Sequence, residues 1–374
     1  MAGQHALLSP SSAHIWLNCP PAARLAAQFE DTGSVYAQQG TDAHELCQYK
    51  LEQALGRESE DPRGRLAYYD AEMERCSEDY ANFVMETVAE IKQTCPDPTV
   101  LIEQRLDFSK YVKEGFGRGD CIIIADGTMH VIDFKYGVGV LVSAAHNPQM
   151  MLYALGALEL LDSLYDFDRI SLTIFQPRRS NVSTWVITKK QLLIWANETL
   201  VPRAKLAYEG KGEFCAGAHC QFCKAKANCR KRAEYNLELA RYDFAEPAQL
   251  DNSEIAAILD RLDQLIAWAE DVKDYALAEA LKGVKFAGYK IVEGRSVRKY
   301  RDEAAVANAV VAEGKDPYEK KLLGITDMTA LLGKKEFERI LGSLVYKPSG
   351  KPVLVKESDK RPEYNTAISD FKDN

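Results

Sequence analysis

Apolar residues recur at helical spacing through the first hundred residues. They crowd into short dense runs between residues 100 and 190 and return to helical spacing beyond residue 253. The opening predicts an N-terminal arm over residues 1–35, with Ser11 or Ser12 capping a brief helix ahead of Cys19-Pro20-Pro21. A helix is expected over about residues 41–55, capped by Thr41 or Asp42. A longer one follows over about 66–94, ended by the prolines of CPDP at 95–98. The dense runs VLIEQRL (100–106), GDCIIIA (119–125) and MHVIDF (129–134) read as strands. The last two flank Asp126-Gly127, a strong hairpin signal. Residues 147–161 predict a helix with Met150, Met151, Leu155, Leu158 and Leu161 on its apolar face, and strands follow at 169–176 and 183–187. Helices, three antiparallel strands, a helix and two further strands make an α/β core with a small mixed sheet flanked by helices. Residues 188–240 return to helix.

The composition shifts over residues 241–252, an expected linker that divides a first domain at 1–240 from a second at 253–374. The second opens on an amphipathic helix over 253–281, through Ile255, Leu259, Leu262, Ile266, Ala269, Val272 and Ala276, stopped by Gly283. A hairpin is expected next, 289–292 with 296–300, turning at Glu293-Gly294-Arg295. Short helices then lead to a Lys- and Pro-rich stretch at 347–362, which makes the domain α+β.

At 374 residues, 46% hydrophobic and 27% charged, the chain can bury an ordinary core. No apolar run reaches the roughly 20 residues of a membrane helix, and the start lacks the pattern of a secretory signal, so an intracellular, membrane-free protein is expected. The net charge of −8 argues against coating nucleic acid by bulk electrostatics, although basic clusters stand at 224–232 and 295–301. Those clusters read equally well as solvated faces.

Charged groups interrupt the strand region at costly places. Asp133 closes the apolar run VID, and Glu103 lies inside VLIEQRL, where a carboxylate is expensive unless compensated. Side chains alternate along a strand, so Asp133 and Lys135 share one face and Phe134 takes the other. Asp120, from the neighbouring strand, can bring a second carboxylate beside the ammonium. Such a set would hold Mg²⁺ or Mn²⁺ through hard oxygen ligands and hydrolyse a phosphodiester. Taken alone, an Asp-x-Lys pattern is common and reads first as an exposed ion pair, with Asp120 as a strand-entry turn residue.

The segment GRGDCIIIADGTMHVIDFKYG resembles the core of the PD-(D/E)XK nucleases, in their RecB-like branch. Asp120 matches the first acidic motif, Asp133 the second and Lys135 the lysine. Gly40-Thr-Asp-Ala-His44 matches that branch's upstream Gly-x-x-x-His, and Gln149-Met-Met-Leu-Tyr153 its Gln-x-x-x-Tyr. The resemblance implies a restriction-endonuclease-like core with His44, Asp120 and Asp133 as metal ligands. Glu103 would be an accessory catalytic carboxylate, and Gln149 and Tyr153 would orient the substrate strand or the lysine.

Nine cysteines in an expected intracellular chain do not read as a disulfide framework. Cys47, Cys76, Cys95 and Cys121 are scattered, as small buried hydrophobes are. Cys215, Cys220, Cys223 and Cys229 are crowded, which points to structural Zn²⁺ or an iron–sulfur cluster without deciding between them. The Cys-x2-Cys-x5-Cys portion resembles the iron–sulfur staple of AddB-type and four-cysteine CRISPR-associated nucleases. In those the remaining ligand lies far upstream, in a serine-rich stretch ending Cys-Pro like LSPSSAHIWLNCP. That resemblance implies a [4Fe–4S] cluster on Cys19, Cys220, Cys223 and Cys229 in a helical subdomain, with Cys215 spare. The competing set replaces Cys19 with Cys215 and binds zinc. In the C-terminal third, GYKIVEGRSVRKY (288–300) and KPSGKPVLVKESDKRPEYN (347–365) resemble an uncharacterised bacteriophage and prophage family that joins such a tail to a RecB-like domain.

Together these imply a DNA exonuclease acting on single strands or duplex ends in phage recombination or replication, within the bacterial cytoplasm. Self-association or a phage recombination partner is compatible with the tail. The alternatives are a non-catalytic DNA-binding or assembly protein on a nuclease scaffold, and a zinc-stabilised module.

Overall fold

The structure, a computed structural model, describes residues 6–29, 33–125, 127–239, 250–293, 300–319, 321–346, 348, 353–359 and 361–362. The chain forms two compact units, Met1–Ile291 and Val292–Asn374. The first unit opens with short helices α1 (Ala13–Trp16) and α2 (Ala22–Ala26), then the long α3 (Val35–Ala54) and α4 (Ala71–Ile91). Strands β1 (Thr99–Asp107), β2 (Phe116–Ala125) and β3 (Gly127–Phe134) follow, then α5 (Pro148–Leu161), β4 (Phe167–Gln176) and β5 (Asn181–Thr188). Helices α6 (Lys189–Trp195) and α7 (Val201–Glu209), joined by a π-helical turn, lead to α8 (Arg230–Leu237) and α9 (Asn252–Leu281).

Helix α3 starts six residues earlier than expected from Thr41. Ser34 is extended and accepts the Ala37 N–H, and the first turn leaves Val35 and Tyr36 in solvent. With nothing buried there, no apolar period marks the start. Asp70 caps α4 in the same way by accepting the Met73 N–H at 2.7 Å.

The five strands form one mixed sheet in the order β1-β2-β3-β4-β5. Neighbours are antiparallel except β3 and β4, which are parallel and connected across α5. Each face of the sheet is buried. Leu106, Ile122, Met129, Val131 and Leu172 pack with α5 on one side. Ile123, Ile132 and Phe134 pack with Leu46 of α3 and Tyr80 and Val84 of α4 on the other.

Strands β1 and β2 pair from Thr99↔Ile124 to Asp107↔Phe116, with the ladder interrupted at Glu103 opposite Asp120. Glu103 has φ +49°, the left-handed region, at a cost of roughly 1–2 kcal/mol for a residue with a Cβ. The irregularity inverts the in–out alternation of β1. Leu101 and Leu106, an odd number of residues apart, both pack into the α5-side core.

Residues 241–249 of the expected linker lie outside the described residues. Residues 289–292, expected as one arm of a hairpin, are irregular, as is Glu293, and residues 294–299, the rest of the turn and all of the other arm except Tyr300, lie outside the described residues. Among its described residues the second unit is helical, with α10 (Glu303–Ala312), α11 (Ile325–Leu332) and α12 (Lys334–Leu341). No described helix is long and apolar enough to cross a membrane.

Candidate functional site

The interrupted ladder places Glu103 and Asp120 opposite one another, and α3 lays His44 against them. The His44 Nδ1 stands 3.3 Å from Asp120 Oδ1, and the edge of its ring meets Phe134 at 5.5 Å between centroids. One ligand atom each from His44, Glu103 and Asp120 lie within 4.8 Å of one another, the only set of three or more His, Cys, Asp or Glu groups so close among the described residues. Asp120 is fixed at its other oxygen, since Oδ2 accepts the Phe134 N–H at 2.7 Å. The bond ties the acidic residue of β2 to the end of β3.

Asp133 and Lys135 form a second group. The Lys135 Nζ lies 2.8 Å from Asp133 Oδ2 and donates to Gln149 Oε1 at 3.1 Å. Gln149 sits in the first turn of α5, where Asn147 caps the helix by accepting the Gln149 and Met150 N–H groups. Its Nε2 donates to Tyr153 Oη one turn on, at 3.0 Å, and lies 3.5 Å from Asp133 Oδ1. The chain Tyr153–Gln149–Lys135–Asp133 therefore fixes the ammonium from two sides. Asp133 is 1% exposed and lies outside the tight His44–Glu103–Asp120 set.

The charges of the two groups shape one another. Burial alone would lower His44, but the Asp120 carboxylate prevails and lifts it to about 9. Burial, reinforced by Asp120, raises Glu103 to about 7. For Asp120 burial opposes ionisation, and His44 and Lys135 overcome it and hold the carboxyl below its ordinary range. Burial raises Asp133 in spite of Lys135. Lys135 is held above its ordinary value because Asp133 and Asp120 outweigh its own burial.

Sequence reasoning did not single out two further residues here. Arg118, two residues before Asp120, approaches Glu103 at 3.7 Å. Gln176, buried at the end of β4, donates to Gly137 O and Val140 O at 2.7 and 2.8 Å and accepts the Val142 N–H, pinning the loop that leaves Lys135. A glutamine ending the apolar strand ISLTIF was the available signal.

A divalent cation fits this donor set. An imidazole and two carboxylates converge, one carboxylate strongly disfavours its own charge, and Asp133 Oδ2 has no hydrogen-bond partner beyond its contact with Lys135. The His44 imidazolium and the Lys135 ammonium balance the carboxylates, and a bound cation would take over from the His44 proton.

The cysteines separate clearly. All nine are free thiols. Cys19 and Cys223 share a small apolar cluster with Ala22 and Ala225, and Cys19, Cys220 and Cys229 all act electrostatically on the Cys223 thiol. The same enclosed space is lined by Cys19, Cys220, Cys223 and Cys229. Cys215 borders it too, but its backbone N–H donates to Cys19 Sγ at 3.4 Å while its own exposed thiol turns to Ala216 O. Gly217 N–H likewise donates to Cys220 Sγ at 3.4 Å. Among the described residues no three thiols lie within 4.8 Å of one another. A tetrahedral zinc with bonds of about 2.3 Å would hold them about 3.8 Å apart.

The crystal structure of SSO0001 is similar to 52% of this chain and 98% of its own length, at 16% identity and a TM-score of 0.23. That overlap is too loose to carry an argument. The sequence matches the family described as "Protein of unknown function (DUF2800)" over residues 5–362, and the chain belongs to that family.

Proposed function

We propose that this protein is a metal-dependent DNA nuclease with a RecB-like PD-(D/E)XK core. The reading is carried by the convergence of His44, Glu103 and Asp120 beside a lysine held between Asp133 and Gln149. Mg²⁺ or Mn²⁺, held by His44, Asp120 and Glu103, with Asp133 beside them, would polarise the phosphate and favour ionisation of water. The remaining work falls to side chains. Lys135 stays protonated and presents a fixed positive charge to the negative charge developing on phosphate oxygens. Gln149 and Tyr153 hold that ammonium in place, and the Phe134 N–H keeps Asp120 from rotating away from His44.

Cys19, Cys220, Cys223 and Cys229 would hold the [4Fe–4S] cluster. The two N–H donors aimed at sulfur are what thiolate charge calls for. The cluster would tie the N-terminal arm to the segment before α8, closing a loop of about 200 residues. Substrates would be single-stranded DNA or duplex ends, in phage recombination or replication inside a bacterial host.

The test is degradation of end-labelled DNA in Mn²⁺ by wild type and by Lys135→Ala. Wild type should degrade it, and the variant should lose activity by about two orders of magnitude or more, as when a preorganised charge is removed from a transition state. Equal activity in the two proteins overturns the assignment.

A further inference from the structure

Beyond the interrupted ladder, β1 and β2 pair Arg105 directly with Arg118. Like charges placed opposite one another on antiparallel strands repel. In a chain of net charge −8, acidic neighbours could have been supplied to both. Only Arg118 has one, Glu103 at 3.7 Å, and the Arg118 side chain is 67% exposed. Arg105 is exposed and lies over the Phe116 ring, 4.4 Å from its centroid, with no carboxylate at ion-pair distance among the described residues. Asp107, two residues further along the strand, accepts the Ser109 N–H at 2.8 Å and feels the Arg105 charge without forming an ion pair with it. Two guanidinium groups therefore rise from one cross-strand position, Arg118 leaning toward Glu103 and Arg105 toward Phe116, both open to solvent.

Their place in the register gives the pair a purpose. Arg105 and Arg118 are each two residues from the facing acids Glu103 and Asp120, a step of about 7 Å along a strand. That step is close to the distance between neighbouring phosphates of an extended nucleic-acid strand. We propose that Arg105 and Arg118 form a phosphodiester clamp that holds the phosphate next to the one being cleaved, with Phe116 stiffening Arg105 from below. The proposal rests on the nuclease reading for what happens at the acids, but it is a binding claim and is tested as one. The planar fork of Arg suits phosphate oxygens, and a second charge on the neighbouring strand fixes which phosphate is held.

The experiment measures binding of a fluorescein-labelled single-stranded DNA oligonucleotide to the full chain by anisotropy, in Ca²⁺, over a series of salt concentrations. Arg105→Gln should weaken binding about tenfold, as expected for loss of one charge-assisted contact. It should also flatten the slope of log K against log salt by about 0.7, the value for one phosphate on a single strand. Arg105→Lys keeps the charge and should restore most of the slope. Lys110→Gln removes the same charge from the turn after β1, away from the pair, and should leave the slope unchanged. An unchanged slope in Arg105→Gln, or equal flattening by Lys110→Gln, overturns the clamp. Absence of binding by wild type overturns it as well. Tight binding that depends on Arg105, without cleavage in Mg²⁺ or Mn²⁺, leaves the clamp standing and refutes the nuclease reading alone.

Discussion

Replacing Glu103 by glutamine should make the cation-free protein clearly more stable at pH 8 and change it by less than about 1 kcal/mol at pH 5. Glu103 is nearly isosteric with glutamine, and its side chain is 15% exposed. Lifting its carboxyl from an ordinary 4.5 to about 7 costs on the order of 3 kcal/mol once the group is ionised. The sign follows from proton binding. The folded state holds the proton more tightly than the unfolded chain, so ionisation of Glu103 erodes stability as pH rises from about 4.5 through about 7. At pH 5 the folded wild type still holds its proton while most of the unfolded chain has lost it, so the variant should gain less than about 1 kcal/mol. At pH 8 only the wild type bears the buried charge, and the variant should gain between about 1 and 3 kcal/mol, the lower figure allowing for the lost contact to Arg118. The left-handed backbone strain at φ +49° is common to both and cancels. Urea unfolding followed by circular dichroism in chelator, at the two pH values, reads this directly. In saturating Mn²⁺ the order should reverse, because the wild type then gains a cation that the variant holds poorly. A gain of equal size at pH 5 and pH 8, or none at pH 8, would show that Glu103 bears no destabilising charge and would refute the electrostatic account of the site.

Gly156→Ala tests how closely α5 lies on the sheet. A Cβ there would come within 2.8 Å of Leu106 Cβ and 3.2 Å of the Leu106 backbone. The usual gain of up to about 1 kcal/mol for alanine in a helix should therefore turn into a net loss of about 1–2 kcal/mol, measured by urea unfolding. For the cysteines, Cys19→Ser should lower bound iron and sulfide after anaerobic purification and bleach the visible absorption, while Cys215→Ser leaves both near wild type. The reverse pattern would return the ligand set to the local four-cysteine alternative.

Much of the fold was legible because burial writes a period into the chain. The dense apolar runs between residues 100 and 190 became β1 to β5, and the Met150 to Leu161 pattern became α5. The start of α3 was not legible, because its first turn buries nothing. The acids at 103 and 133 stood out in the sequence for the same reason, as charges inside apolar runs. Arg118 and Gln176 did not, since each acts through a neighbour that is distant along the chain.

What the sequence determined by itself is therefore local: which segments are strands or helices, which side of α5 is apolar, and which residue types could bind a cation or a cluster. Tertiary structure decided the pairings. The left-handed backbone at Glu103 aligns it with Asp120, and α3 brings His44 to both. The packing of the arm on the segment before α8 turns the Cys19 thiol, rather than that of Cys215, toward Cys223. The physical reason is that periodicity records only whether a position is buried. Which partner it is buried against depends on register, helix docking and a single irregular residue, none of which leaves a pattern along the chain.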